Sequence, residues 1–202
     1  MVVGGKNHFD LSITDFKPPC NYNIISFNYD GIIETVAAKI EARCKSIPHS
    51  IINTEKIVAN SIRYCKLHGS IDRDTIIPPT WAKTMFPQVK KDWEDAFTLL
   101  KEANDIRIIG FSFPNTDSHI SYLFKSAIIE NENLKSIDVI CMDNNKDIEN
   151  KYRSIFCTNK LSFKNDSIGN YFKLLNIRIR EDRANYIQPV LENAHKEYFE
   201  RT

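Results

Sequence analysis

The chain has 202 residues, of which 42% are hydrophobic and 26% are charged, as is typical of a folded domain with its own core. Its formal net charge of +1 lacks the basic excess of nucleic-acid-binding domains, so we expect no nucleic-acid partner. No apolar run reaches the roughly 20 residues of a membrane span. The first residues are not typical of a signal peptide either, so we expect a cytoplasmic protein with no membrane contact.

The five cysteines are scattered along the chain, with no Cys-x-x-Cys pair among them. A zinc ribbon needs two such pairs, and disulfide bonds are rare in cytosolic proteins. We therefore expect no metal site, and we interpret the cysteines as small buried hydrophobic residues.

The first predicted unit is a strand, a polar turn and a helix. The apolar run Ile24–Phe27 predicts a strand that stops at Asn28. Apolar residues at helical spacing then predict a helix over about 32–40, and Asp30 is placed to cap its first turn.

The next stretch, residues 45–62, predicts no regular structure. A strand is then predicted over Arg63–Leu67, and it runs directly into His68. A helix over about 90–104 follows, because its apolar residues recur on one face.

The second half of the chain alternates strands and helices. Because strands joined through helices pair in parallel, we predict an α/β, Rossmann-like fold whose mostly parallel sheet carries helices on both faces. The predicted strands cover 105–109, 137–142 and 161–163, and the predicted helices cover about 114–128, 146–156, 167–175 and 181–200.

No linker, repeat or low-complexity segment divides the chain. We predict one domain over residues 1–175 and a C-terminal helical extension over residues 176–202. The charged helix of the extension is either a solvated surface or, through its apolar positions, a contact with a second copy of the chain or another partner.

Polar residues follow the predicted strands at the points where the strands end. In open α/β sheets, ligands bind at the carboxyl ends of the strands, so these turns predict one site of nucleotide size. The candidates are Asn28, Asp30, His68, Gly110, Ser112 and Asn144.

This set contains no metal cluster, no cysteine nucleophile and no convincing pair of carboxylates. One reaction that fits is cleavage of a glycosidic bond whose leaving group is already cationic. Nicotinamide leaves NAD as a neutral molecule, so the acid of the usual two-carboxylate arrangement is unnecessary. An amide can then hold the ribose or a water molecule, while a neutral imidazole takes the proton.

Four segments, in this order, resemble the motifs of the sirtuin-like family. They match the family patterns NYD, KLHGS, PPTW-K and a Gly-x-Ser loop that leads to an Asp. The segments are 27–30, 66–70, 77–83 and 109–117, and the resemblance extends over about residues 24–175.

The resemblance implies a role for each candidate. His68 would be the general base, Asn28 would hold the nicotinamide ribose or the attacking water, and Asp30 would orient the ribose side. The remaining residues would contact the cofactor: Gly69, Gly110, Ser112 and, at the adenosine ribose, Asn144. Each of these residues also has a structural alternative. Asn28 and Asp30 suit a turn and a helix cap, and His68 suits a structural hydrogen bond.

Classical protein deacylases of this family carry a four-cysteine zinc module between the His-Gly and Gly-x-Ser motifs. Here the stretch from His68 to Gly110 contains no cysteine. The chain therefore resembles the zinc-free bacterial branch, whose members resemble NAD-hydrolysing effectors of antiphage defence. We predict NAD hydrolysis to nicotinamide and ADP-ribose. The alternatives are a non-catalytic NAD or ADP-ribose binding module, an inactive remnant and an NAD-dependent protein deacylase.

The family's glycine-rich GAGxS loop, which cradles phosphates at a helix N-terminus, is not found among the six glycines of this chain. We therefore expect the fold to lack the first βα unit of the family. Three explanations remain: a fragment of a longer protein, a degenerate relative, or a unit supplied by a partner. We expect the first of these.

Overall fold

A computed structural model of the chain describes residues 22–43, 51–55, 61–71, 76, 87–181 and 187–201. The strands are β1 (Ile24–Ser26), β2 (Ile52–Asn53), β3 (Ile62–Lys66), β4 (Asp105–Ile109), β5 (Ser136–Ile140) and β6 (Leu161–Lys164). The helices are α1 (Ile32–Arg43), α2 (Pro87–Glu102), α3 (Ser118–Ile129), α4 (Asp147–Phe156), α5 (Ile168–Glu181) and α6 (Ile187–Glu200). The chain forms two compact units: the first extends to Ala96 and the second begins at Phe97, so their boundary lies inside α2.

The first unit contains a parallel sheet in the order β1-β3-β2. Successive side chains of β3 point to opposite faces of the sheet, and their partners show which helix lies on each face. Arg63 pairs with Asp92 and Asp95 of α2, whereas Lys66 pairs with Glu34 of α1. Helices therefore cover both faces of β3, as the sequence predicts.

The second unit contains a parallel sheet in the order β4-β5-β6. Neighbouring residues of β6 again contact different helices. The Phe163 ring lies 5.8 Å from the ring of Tyr152 in α4, whereas the Lys164 ammonium lies over the ring of Tyr198 in α6. The α/β fold with parallel strands and helices on both faces is confirmed.

Most predicted elements are present, with shifts of a few residues at their ends. The strand β2 is an exception, because Ile52 and Asn53 lie in the stretch that predicts no regular structure. A strand of two residues is too short to show an alternating apolar pattern in the sequence. In the structure it is identified by its pairing with β3. The helix α5 is also longer than predicted, since it continues to Glu181.

The carboxylate of Asp30 caps the start of α1, as the sequence predicts, whereas the start of α3 has no side-chain cap. The Asp30 carboxylate accepts a hydrogen bond from the N–H of Ile32, while the first carbonyl of the helix, that of Gly31, accepts from Thr35. Asp117, at the N-cap position of α3, makes no side-chain capping bond and is 3% exposed.

Among the three cysteines of the described residues, the prediction of burial is wrong at one, while Cys20 and Cys44 lie outside the described residues. Cys65 and Cys141 are buried, whereas Cys157, at the end of α4, is exposed. Its backbone adopts a positive φ of 46°, which turns the chain out of the helix. None of the described helices is long and apolar enough to cross a membrane.

Candidate functional site

The turn after β1 carries two of the predicted site residues. Asn28 is exposed, and its backbone N–H donates to the hydroxyl of Ser26 at 3.2 Å. Asp30 is half-buried, and its carboxylate accepts a hydrogen bond from the N–H of Ile32, the first residue of α1. The strand therefore ends in a tight turn in which Asn28 is exposed to solvent.

The turn after β3 carries His68 and Gly69. His68 is 5% exposed, and its ring centroid lies 6.2 Å from that of Phe27 and 5.6 Å from that of Tyr29. Gly69 has a φ of +79° and donates its N–H to the carbonyl of Lys66 at 3.2 Å. Glycine suits this left-handed position, because a Cβ would be strained there.

Backbone hydrogen bonds hold these two turns together. The N–H of Leu67 donates to the carbonyl of Ser26 at 3.1 Å, and the N–H of Ile71 donates to the carbonyl of Tyr29 at 3.0 Å. The structure therefore brings the turn of Asn28 and Asp30 against the turn of His68 and Gly69, within the first unit.

A buried lysine lies between these turns. Lys66 is 5% exposed, and its ammonium donates to the carbonyl of Asp30 at 2.6 Å and to the hydroxyl of Ser70 at 2.9 Å. Sequence reasoning assigned Lys66 no role. The available signal was its position, since a charge in a buried strand needs partners, and Glu34 lies in the first turn of α1.

The carboxyl ends of β4 and β5 carry the other candidates. Gly110 has a φ of +73° and donates its N–H to the carbonyl of Ile140 at 2.8 Å. A Cβ at this position would collide with the side chain of Ile168. The positive φ favours glycine at this position, and a larger residue would also have to displace the end of the Ile168 side chain.

The loop after Gly110 presents Ser112 to solvent. The next residue, Phe113, is fully buried although its φ is +50°. Its ring packs edge-to-face against the rings of Phe111 and Tyr152, at centroid distances of 4.8 and 5.0 Å. The Tyr152 hydroxyl donates to the carbonyl of Phe111, so an aromatic anchor holds the loop with Ser112 exposed.

Asn144 is exposed just beyond β5, and its neighbour Asp143 is the buried anchor of that turn. Desolvation alone would raise the pKa of Asp143, but hydrogen bonds from backbone N–H groups, including those of Glu149 and Ile148, lower it below its ordinary value. Its own N–H donates to Asn165 at 2.8 Å. No sequence pattern indicated that Asp143 would anchor this turn.

The structure therefore places the predicted site residues in two groups. The first unit holds Asn28, Asp30, His68 and Gly69, and the second unit holds Gly110, Ser112 and Asn144. The PPTW-K segment, residues 77–83, lies outside the described residues. Across the described ranges, no three His, Cys, Asp or Glu side chains are placed together to hold a metal ion.

Parallel strands flanked by helices, with polar turns at the strand ends, define a Rossmann-like α/β protein. The family model of the SIR2-like domain matches residues 23–162, and the chain belongs to this family. SIR2-like domains use NAD. No curated protein and no solved structure matches the sequence.

Proposed function

We propose that this SIR2-like domain binds NAD and hydrolyses the bond between nicotinamide and ribose, which yields nicotinamide and ADP-ribose. The observation that carries the proposal is the junction of two turns in the first unit. There, His68 is buried beside two aromatic rings, next to the turn that exposes the Asn28 amide.

The chemistry needs few protein groups. The electron pair of the breaking glycosidic bond neutralises the nicotinamide ring, so no acid has to protonate the leaving group. A water oxygen bonds to the ribose carbon, and His68 takes the proton that this water releases. Asn28 holds the ribose or the water by hydrogen bonds, and Asp30 orients the ribose side.

The residues present fit this substrate. An amide, a carboxylate and an imidazole follow two adjacent parallel strands, and the carboxyl ends of such strands are where nucleotides bind. We also propose that the exposed side chains of Ser112 and Asn144, and the backbone carbonyls of Gly69 and Gly110, contribute hydrogen bonds to NAD, because the N–H groups of both glycines already donate within the protein.

The experiment is an assay of nicotinamide release from NAD by the purified full-length protein. We expect the His68→Ala variant to lose at least about 100-fold in rate, the lower end of the general-base contribution. Asn28→Ala is expected to reduce the rate as well. The matched controls are His119→Gln and Asn133→Ala, which change the same residue types on α3 and in the loop before β5. An unchanged rate in His68→Ala would exclude this residue as the base.

A second candidate is a module that binds NAD or ADP-ribose without turnover. It is favoured by one sequence observation, namely that the chain contains no GAGxS phosphate loop. Calorimetry with NAD and with ADP-ribose distinguishes the two, because binding without nicotinamide release supports the module. An assay on acyl-lysine peptides tests the deacylase alternative.

We further propose a role in bacterial antiphage defence, in the cytoplasm. The support is the resemblance to the zinc-free branch. The test is NAD depletion in infected bacteria that express the chain, compared with bacteria that express His68→Ala.

A second copy or another partner at the C-terminal helices is likewise a proposal, and light scattering of the purified protein tests self-association. Within the chain itself, Val190 and Tyr198 of α6 are already buried.

A further inference from the structure

Lys66 is a buried ammonium group that the proposed chemistry does not use. Its side chain is 6% exposed, and removal of a charged amine from water is unfavourable unless partners replace the lost hydration. The partners are therefore informative about what the lysine does.

Those partners come from three separate segments. The ammonium lies 2.6 Å from the carbonyl of Asp30, 3.0 Å from the Glu34 carboxylate in α1, and 2.9 Å from the hydroxyl of Ser70. An ammonium group has three N–H donors, and these three short contacts use all of them. A fourth oxygen, the carbonyl of Tyr29, lies at the outer limit of 3.5 Å.

The geometry links residues on either side of the candidate site. Asp30 follows Asn28 by two positions, and Ser70 follows His68 by two positions. The lysine thus ties the chain just after the ribose-holding amide to the chain just after the base. The hydrogen bond from the N–H of Ile71 to the carbonyl of Tyr29 joins the same two turns through the main chain.

We propose that Lys66 is a positioning residue that fixes the Asn28 turn against the His68 turn, with Glu34 and Ser70 as its side-chain partners. This inference rests on the proposed function, because the benefit of a fixed spacing is the hydrolysis that Asn28 and His68 carry out. In this role Lys66 acts through the two turns, because the short contacts of its ammonium are all with protein oxygens.

The first experiment compares Lys66→Met with wild type in the nicotinamide-release assay. Methionine keeps much of the length and removes the charge and all three donors. We expect kcat to fall about 100-fold with KM changed far less, since misplacement of catalytic groups by about 1 Å has an effect of that size. The matched control is Lys90→Met, which removes an exposed lysine of α2 and should leave both constants unchanged.

The second experiment is amide hydrogen exchange, and it does not depend on activity. In Lys66→Met, the N–H of Ile71 should exchange at least about tenfold faster, while strand amides such as Cys65 keep their protection. Loss of protection throughout the first unit would show a general structural role and overturn the proposal. So would an unchanged Ile71 exchange rate or an unchanged kcat.

Two further variants cover the case in which Lys66→Met does not fold. Ser70→Ala removes one partner of the ammonium, and Glu34→Gln removes the charge of another. Each should accelerate exchange at Ile71 and lower kcat, whereas the control Ser154→Ala, on the exposed face of α4, should do neither. If wild type releases no nicotinamide, the proposed function fails, and the exchange rate of Ile71 alone decides whether Lys66 joins the two turns.

Discussion

Single residues at the strand ends carry the constraints that shape the candidate site. Gly110 combines a positive φ with the close approach of Ile168, and Phe113 combines a positive φ with complete burial. A non-glycine residue in this region is uncommon and is retained where the surrounding packing determines it. The aromatic contacts of Phe113 provide that packing at the base of the Ser112 loop.

Replacement of Gly110 by alanine tests this constraint. We expect Gly110→Ala to reduce the free energy of unfolding by about 1–2 kcal/mol, because a Cβ is strained at this φ and also displaces Ile168. The matched control is Gly169→Ala, where the nearest atom to a new Cβ is the Ser167 hydroxyl oxygen at 3.7 Å. Alanine in helix α5 should be neutral or stabilising by up to about 1 kcal/mol. Urea denaturation measures both, and equal effects would contradict the prediction.

At the scale of elements, α6 is held against the rest of the second unit by polar contacts. His195 is buried, and its ring nitrogens lie 3.0 Å from the Tyr171 hydroxyl in α5 and 3.0 Å from the Asp138 carboxylate in β5. Arg178 of α5 makes two hydrogen bonds to Glu197 of α6, at 2.8 and 2.6 Å. The C-terminal helices are thus joined to each other and to the sheet.

The Glu197 contact adds a pH-dependent contribution to the stability of the second unit. Hydrogen bonds from Arg178, and then from Arg201, lower the pKa of Glu197 from 4.5 to about 2. Because the folded state lowers this pKa, the contribution of Glu197 to stability is complete above about pH 4.5 and is lost as the pH falls through about 2.

We therefore expect Glu197→Gln to lower the melting temperature at pH 7, with a difference from wild type that shrinks below about pH 4.5. Thermal melts between pH 7 and pH 3 measure this. Glu200→Gln, at an exposed position of the same helix, is the control and should show no such trend. A difference that stays constant over the whole range would count against the Arg178–Glu197 contact.

The sequence predicts elements well where apolar residues are consecutive and flanked by polar turns. Thus β4 is found at the predicted residues, 105–109, and the carboxyl ends of the strands carry the predicted polar residues. Tertiary partners were not predictable in the same way. Lys66 is buried with Glu34 and Ser70 as its partners, and Arg63 is buried with Asp92 and Asp95. The carboxylate partners are distant in the sequence, so no local pattern predicts these ion pairs.

At the scale of the whole molecule, each unit repeats one arrangement, a three-stranded parallel sheet with helices on both faces. Polar candidates occur at the strand ends of both units, and the SIR2-like family model covers residues of both units, since it matches residues 23–162. A ligand that binds the folded state alone stabilises the molecule by mass action.

We expect NAD to raise the melting temperature of His68→Ala, a variant used because it should bind the substrate without consuming it. At 100 times its dissociation constant, a ligand adds about 2.7 kcal/mol to the free energy of unfolding. Scanning calorimetry with increasing NAD measures the shift, and nicotinamide alone, which lacks the ribose and phosphate groups, is the control. No shift at millimolar NAD would contradict binding.

The two buried cations of β3 have a consequence for how the first sheet pairs. Arg63 and Lys66 point to opposite faces, and each meets carboxylates on a different helix. If β3 slipped by one residue against β1, every side chain would change faces, and both cations would lose the carboxylates with which they now pair. The ion pairs of β3 therefore favour the observed register of the strand that leads to His68.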